Sequence, residues 1–166
     1  AVLCLLDYRN TNLYVVLTLR AKNLKDHPGQ ISFPGGRLDK GETNYDCAIR
    51  ETYEEIGIKK KNINILGELN LYLSGSNFLI KPVVGIIIGD YKLFLNKKEV
   101  ERVYYFPINF LFFKKNLTKN FYKNKSINKK LFFYDISWNN MRIWGTTALI
   151  LVHLSRVVNN IILKNV

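Results

Sequence analysis

The sequence predicts an α/β fold in which a mixed β-sheet is packed between helices. Two observations carry this. Strand-like and helix-like stretches interleave along the chain without a regular βαβ rhythm. The chain also has 166 residues, 48% of them hydrophobic, which is enough for one core, so residues 1–166 read as a single domain.

The elements follow in order. Ala1–Leu6 and Leu13–Leu19 are apolar runs separated by the turn-forming Arg9-Asn10-Thr11-Asn12, and this predicts a strand pair. From Ala21 to Gly41 the chain is rich in Gly, Pro and charge. It reads as a long ordered loop with Ile31–Phe33 as its one extended piece, and loops of that length usually serve a site. Thr43 followed by Asp46 resembles a capping box, Cys47, Ala48, Ile49, Thr52 and Ile56 supply a buried stripe, and Gly57 ends the run, predicting a helix over Asn44–Ile56. Ile63–Leu73 and Phe78–Ile88 read as strands joined by a turn at Ser74-Gly75-Ser76-Asn77. Glu99–Tyr105 reads as another strand, and Pro107 opens a short helical or irregular segment. Lys114–Lys130 carries seven Lys and no acid and is expected to be an exposed loop or edge hairpin. Leu131–Ile136 and Arg142–Trp144 are late strands, and Thr146–Val158 has helical spacing. Trp144, in an apolar run, is expected in the core, and His153 is expected to be structural.

Composition bounds the function. The longest apolar runs, Val83–Ile88 and Ala148–Val152, fall far short of the roughly 18 residues of a membrane span, so no membrane partner is expected. Ala1–Leu6 lacks the basic flank and cleavage pattern of a signal peptide, and the natural start is expected upstream of Ala1. Cys4 and Cys47 are too few and too distant for a disulfide framework or a zinc site, so they are read as core residues in a reducing cytoplasm. The net charge of +12 admits a polyanionic partner, but Lys, Asn and Ile are over-used throughout. Compositional drift therefore accounts for the charge better than a dedicated nucleic-acid surface does.

The sharpest feature is acidic. On the predicted helix Glu51, Glu54 and Glu55 stand at i, i+3 and i+4 and share one face. Like charges so placed repel, each pair costing a few tenths of a kcal/mol on an isolated helix. Hard divalent cations offset that cost, because Mg²⁺ and Mn²⁺ prefer carboxylate oxygens. Arg50, four residues before Glu54, can hold a carboxylate by its fork and is read as an orienting residue. Gly35 and Gly36 let the backbone approach closely, leaving a carbonyl or amide free to face the acids.

Taken together, Gly36, five residues, Glu42, seven residues, then Arg50-Glu51-Thr52-Tyr53-Glu54-Glu55-Ile56-Gly57-Ile58 resembles the Nudix box, here residues 36–58. Thr52 stands where that pattern asks for an aliphatic residue. The resemblance implies the Nudix α/β/α sandwich and a metal-dependent hydrolase of diphosphate bonds. It also implies metal ligation by Glu51 and Glu55, with Glu54 alongside and the Gly36 carbonyl as a further donor.

A second resemblance narrows the substrate. Leu17-Thr18, Arg20, Leu24 and His27-Pro28-Gly29-Gln30-Ile31-Ser32-Phe33-Pro34-Gly35-Gly36 are similar to the signature of the coenzyme A diphosphatase branch. So are Asn96, Glu99-Val100, Phe106-Pro107-Ile108 and Ile143-Trp144-Gly145-Thr146-Thr147-Ala148. This implies Mg²⁺- or Mn²⁺-assisted hydrolysis of coenzyme A to 3′,5′-ADP and 4′-phosphopantetheine. The cation would neutralise phosphate charge and activate a water, whose proton a carboxylate must take. Glu54 is one candidate base and Glu99 or Glu101 another, and Glu99 could equally ligate metal. Arg20 and His27 are candidates for substrate phosphate contacts, with Gln30 and Phe33 completing the substrate-binding set. The bland alternatives are an ion pair for Arg20 and a turn for His27. ADP-ribose, a dinucleoside polyphosphate or a nucleoside triphosphate is the rival substrate. A non-catalytic nucleotide- or RNA-binding protein is the rival of another class, and a homodimer stays open.

Overall fold

Asn10 and Thr11 both have positive φ, 46° and 65°, the conformation of a two-residue hairpin turn whose twist matches its flanking strands. They join β1 (Val2–Arg9) to β2 (Asn12–Arg20), which pair antiparallel with Arg9 opposite Asn12 and Leu6 opposite Val15. The computed structural model describes residues 1–124 and 129–164. These group into two compact units, Ala1–Tyr72 with Leu79–Pro107, and Leu73–Phe78 with Ile108–Val166, where the sequence reads as one domain.

The first unit is built on a six-stranded sheet. The remaining strands along it are β3 (Ile31–Ser32), β4 (Ile63–Glu68), β7 (Pro82–Ile87) and β8 (Val100–Pro107). The order is β3-β2-β1-β7-β4, with β8 also paired to β2. The sheet is mixed: β1 runs parallel to β7, placing Leu3 opposite Val83, while every other pairing is antiparallel. Leu3, Cys4, Leu5 and Leu6 are all buried, as a central strand covered on both faces requires.

The helix α1 (Asn44–Ile56) has the predicted bounds, and its ends have the predicted causes. The Thr43 hydroxyl accepts from the Asp46 amide at 3.2 Å and donates to the Asp46 carboxylate at 2.6 Å. At the other end Gly57 turns left-handed at φ 78° and donates to the Tyr53 carbonyl at 2.8 Å. The buried stripe packs Cys47, Ala48 and Ile56 into one core with Leu3, Leu5 and Val83. Thr52 fits its aliphatic slot because its hydroxyl, buried with the rest, donates to the Ala48 carbonyl at 2.7 Å.

Sequence 63–88 forms four short strands in place of the two expected, with β5 (Tyr72–Leu73) and β6 (Leu79–Ile80) between β4 and β7. The expected turn between them is present: Ser74 accepts the Phe78 amide on its hydroxyl at 2.9 Å, and Asn77 has φ 63°.

In the second unit β9 (Thr118–Asn124), β10 (Lys129–Trp138) and β11 (Met141–Trp144) form an antiparallel sheet in the order β11-β10-β9. Most of the basic Lys114–Lys130 stretch is thus an edge hairpin, and positions 125–128 lie outside the described residues. Ile136 and Ile143 pair across β10 and β11 and are buried. Trp144 is 42% exposed, against the expectation of a core ring. It alternates with the buried Ile143 on β11 and so stands on the other face, edge-on to Phe133.

The last helix, α2 (Gly145–Lys164), runs longer at both ends than the predicted Thr146–Val158. It is long and apolar enough to cross a membrane by length and composition, which uninterrupted apolar runs did not reveal because Ser155, Asn159 and Asn160 break them. Ala148, Ile150, Leu151, Val152, Leu154 and Ser155 are buried within the protein.

A Cβ on Gly57 would lie 2.8 Å from the Phe94 Cβ and 2.9 Å from its amide nitrogen, at a φ that L side chains resist. Gly57→Ala is expected to destabilise the protein by about 1–3 kcal/mol, read as a lowered midpoint in thermal unfolding. An unchanged midpoint would mean that the loop carrying Phe94 yields freely.

Candidate active site

The backbone at Gly35-Gly36 is clasped against the start of β1. Leu3 donates to the Pro34 carbonyl at 2.8 Å, Gly36 donates to the Ala1 carbonyl at 3.0 Å, and the Ala1 nitrogen donates to the Gly36 carbonyl at 2.8 Å. A side chain on Gly35 would strike Ala1 and Val2, and one on Gly36 would overlap the Glu51 carboxylate. Gly35 therefore lets the loop lie against the start of β1, and Gly36 lets it lie against α1. The Gly36 carbonyl accepts from Ala1 and, at 3.7 Å, from the Cys47 thiol.

Glu55 lies in the angle so formed. Its side chain is buried, the Gly35 amide donates to its carboxyl group, and Oε2 has no hydrogen-bond partner. Burial pushes its pKa up to about 8, the Gly35 amide opposes that, nearby Glu51 adds to it, Arg20 opposes and Glu99 adds. Glu51 is shifted upward as well, by burial first, against the pull of Arg50 and with the push of Glu54 and Glu99. Glu54 is half exposed.

Arg50 orients these acids, though not as its spacing to Glu54 implied. Its fork closes on Glu42, Nε to Oε1 at 2.8 Å and Nη2 to Oε2 at 3.0 Å, and only Nη1 reaches Glu51 and Glu54, at 3.0 and 3.2 Å. That grip, with the Asp39 amide behind it, lowers the Glu42 pKa to about 2. Nη2 also donates to the Arg37 carbonyl at 3.1 Å. The sequence offered Glu42 only as a motif position, and its role as the anchor of Arg50 emerges from the fold.

A second loop enters from between β7 and β8. Phe94 donates to the Ile56 carbonyl at 3.0 Å and Asn96 to the Glu55 carbonyl at 2.9 Å, while the Glu99 carbonyl accepts from Ala21 at 2.8 Å. Glu99 is thereby held near enough to Glu51 and Glu55 to raise both pKa values. Glu101 stands exposed on β8.

The four expected substrate-binding residues separate. Arg20 acts electrostatically on Glu55, and its guanidinium donates to the Asp26 carbonyl at 3.3 and 3.2 Å. His27 is exposed at φ 56°, and its carbonyl accepts the Gln30 amide at 3.3 Å, which makes it a turn residue by its backbone. Gln30 is half-buried. Phe33 is 4% exposed, so its ring packs in the core and is withdrawn from the set of ligand contacts.

The donor set suits a hard divalent cation. Two adjoining carboxyl groups are disfavoured as anions by burial, one of their oxygens is orphaned, and a glycine makes room beside Glu51. As the side chains stand, no three acids, His or Cys among the described residues close into a cation cluster. Arg50 meanwhile draws one oxygen each of Glu51 and Glu54 towards itself. Glu51 and Glu55 would hold the ion, with Glu54 and the Gly36 carbonyl as further donors.

Comparison with known proteins gives the family. The NUDIX domain profile matches residues 1–121. Nudix hydrolase 3 of Caenorhabditis elegans is 32% identical over 168 residues, spanning 91% of this chain and 69% of that protein. The uncharacterized Nudix hydrolase NudL of Yersinia pestis is 31% identical over 147 residues, spanning 87% and 72%. Among solved structures, the C. elegans Ap4A hydrolase binary complex superposes with a TM-score of 0.57 at 19% identity, over 65% of this chain and 79% of that one. The chain belongs to the Nudix family. It has that family's α/β fold and is an enzyme, a hydrolase of diphosphate bonds, of a kind that generally uses divalent metal ions.

Two predictions follow from the buried acid and its clamp. The folded chain holds Glu55 protonated where the unfolded chain ionises it. That contribution to stability is complete below the ordinary carboxylate pKa of 4.5 and is lost as pH rises to about 8. The metal-free protein is expected to melt roughly 5 °C or more lower at about pH 8 than at about pH 5. Glu55→Gln should flatten this slope, and Mg²⁺ should raise the midpoint of the parent more than that of the variant. Parallel slopes would mean that Glu55 is solvated. Arg50→Lys keeps the charge but cannot grip Glu42 with two bonds and still reach Glu51 and Glu54. Turnover is expected to fall on the order of ten- to hundredfold, and retained turnover would show that the clamp is dispensable.

Proposed function

We propose that the enzyme hydrolyses the diphosphate bond of coenzyme A or a coenzyme A derivative, releasing 3′,5′-ADP and 4′-phosphopantetheine, with Mg²⁺ or Mn²⁺. One observation carries the reading. The segment that resembles the coenzyme A diphosphatase signature, Leu17 to Gly36, is continuous with the acidic site, since Arg20 acts on Glu55 and the same segment ends in the Gly35 amide bonded to that carboxyl group.

When bound, the cation supplies charge neutralisation on the diphosphate and acidifies water. The chain supplies the rest. Glu51 and Glu55, with Glu54 and the Gly36 carbonyl, form the metal-binding edge. Arg50 keeps Glu51 and Glu54 oriented through Glu42. Arg20 is the candidate phosphate contact, because its positive charge already acts on the same spot as Glu55. His27 and Gln30 form the rim of that loop. For the proton of the attacking water, Glu99 is preferred to Glu54. Glu54 is half exposed and engaged by Arg50, whereas Glu99 is partly buried and, among the described residues, forms no ion pair. Both cysteines are free and buried, which suits a reducing cytoplasmic setting.

The test is incubation of the parent and Glu55→Gln with coenzyme A, ADP-ribose and diadenosine tetraphosphate, with and without Mg²⁺ or Mn²⁺, followed by product separation. Metal-dependent release of 3′,5′-ADP by the parent, reduced on the order of a hundredfold or more in the variant, is the expected result. Preferential cleavage of another diphosphate would move the substrate, and no cleavage at all would favour a binding role.

A further inference from the structure

We infer that Asn96 is a positioning residue for Glu99, coupling that carboxylate to the C-terminal end of α1. The inference rests on Glu99 as the proton acceptor in the proposed reaction. Its basis is a single side chain that satisfies two opposite demands. Asn96 Oδ1 accepts the Lys98 amide at 3.2 Å, and Asn96 Nδ2 donates to Glu99 Oε1 at 3.1 Å. The Lys98 amide can only donate and the ionised Glu99 carboxylate can only accept, so the orientation of the Asn96 amide is dictated from both sides.

The backbone of the same residue fixes where this happens. Asn96 donates to the Glu55 carbonyl at 2.9 Å, and its own carbonyl accepts from Glu99 at 3.0 Å and from Val100 at 2.8 Å. One residue thus touches the last turn of the acidic helix, closes the turn that carries Glu99, and holds one oxygen of the Glu99 carboxylate. Among the described residues Glu99 Oε2 has no hydrogen-bond partner, so Asn96 sets the direction of the group while leaving that oxygen available.

Asp is the informative substitution. Asn96→Asp retains the acceptor for the Lys98 amide and hence the turn, but it faces Glu99 with a second carboxylate in place of a donor. A merely structural Asn96 would tolerate this change, whereas a positioning Asn96 would not. The substrate is whichever of coenzyme A, ADP-ribose and diadenosine tetraphosphate the parent cleaves fastest with Mg²⁺. For Asn96→Asp, kcat is expected to fall on the order of ten- to hundredfold, with KM within about twofold. The unfolding midpoint of the metal-free protein should stay within about 3 °C of the parent. In a Glu99→Gln background the same substitution should have no further effect on kcat, because the carboxylate it repels is gone and a Gln amide can donate to Asp.

The outcomes separate the two levels of the argument. If Glu99→Gln lowers kcat and Asn96→Asp does not, Glu99 keeps its role and the positioning inference is overturned. If Asn96→Asp lowers kcat equally in both backgrounds, Asn96 acts without Glu99 and the inference falls. If Glu99→Gln leaves kcat unchanged, or the parent cleaves none of the three, the reading of Glu99 fails and takes the inference with it.

Discussion

One thirteen-residue helix has to serve as both the packing face of the first unit and the carrier of its acids, and the border between these duties runs through Glu55. The residue lies on the turn that buries Thr52 and Ile56, so its carboxyl group is drawn out of water by the same packing that stabilises the helix. Burying an ionised carboxylate without a counter-charge is far more costly than burying a methyl group. The surroundings therefore matter more here than anywhere else in the unit: a backbone amide from Gly35, a positive field from Arg20, and an oxygen left without a partner. The glycine pair follows from this constraint, because only a chain without Cβ atoms can approach both β1 and the acids.

Around that buried acid the charges are arranged in a gradient. Glu42 is the most firmly ionised, gripped by both arms of the Arg50 fork and by the Asp39 amide. Glu51 shares the Nη1 amino group of Arg50 with Glu54, and Glu55 receives no bond from it. A single guanidinium thus sets the ionisation of Glu42 apart from that of Glu51 and Glu55, which identical side chains on one motif would not otherwise show. The unit holds a second buried carboxylate, Asp7, at the other end of β1, where Arg9 and the Tyr91 hydroxyl each reach Oδ2 at 2.6 Å. There a cation and a hydroxyl both engage the carboxylate. The contrast marks Glu55 as the acid with capacity left for a ligand.

Much of this was legible in one dimension. The bounds of α1 follow from Thr43, Asp46 and Gly57, whose effects are local hydrogen bonds and a local backbone conformation. The β1–β2 hairpin follows from Asn10-Thr11, and the mixed sheet follows from the irregular alternation of elements. Less legible were features in which distant segments meet. The Glu42–Arg50 fork spans eight residues, and the rotamer that chooses Glu42 over Glu54 is set by the loop before the helix. Phe33 was read as a site residue within a segment that resembles a substrate signature, yet alternation along an extended segment turns it into the core. Trp144 erred in the opposite direction: an apolar run says nothing about which face of a thin three-stranded sheet remains uncovered.

The sequence by itself determined the acidic helix, its caps, the glycine pair and, through them, the class of chemistry, because these depend on residue identity and on spacings within one or two turns. Only the tertiary structure decided which acid is buried, which is clamped, and that the loop from Phe94 to Glu99 reaches the last turn of α1. The physical reason is that desolvation and charge–charge terms depend on what else occupies the space around a group. For Glu55 that space is filled by residues 20, 35, 51 and 99, brought together from four separate parts of the chain.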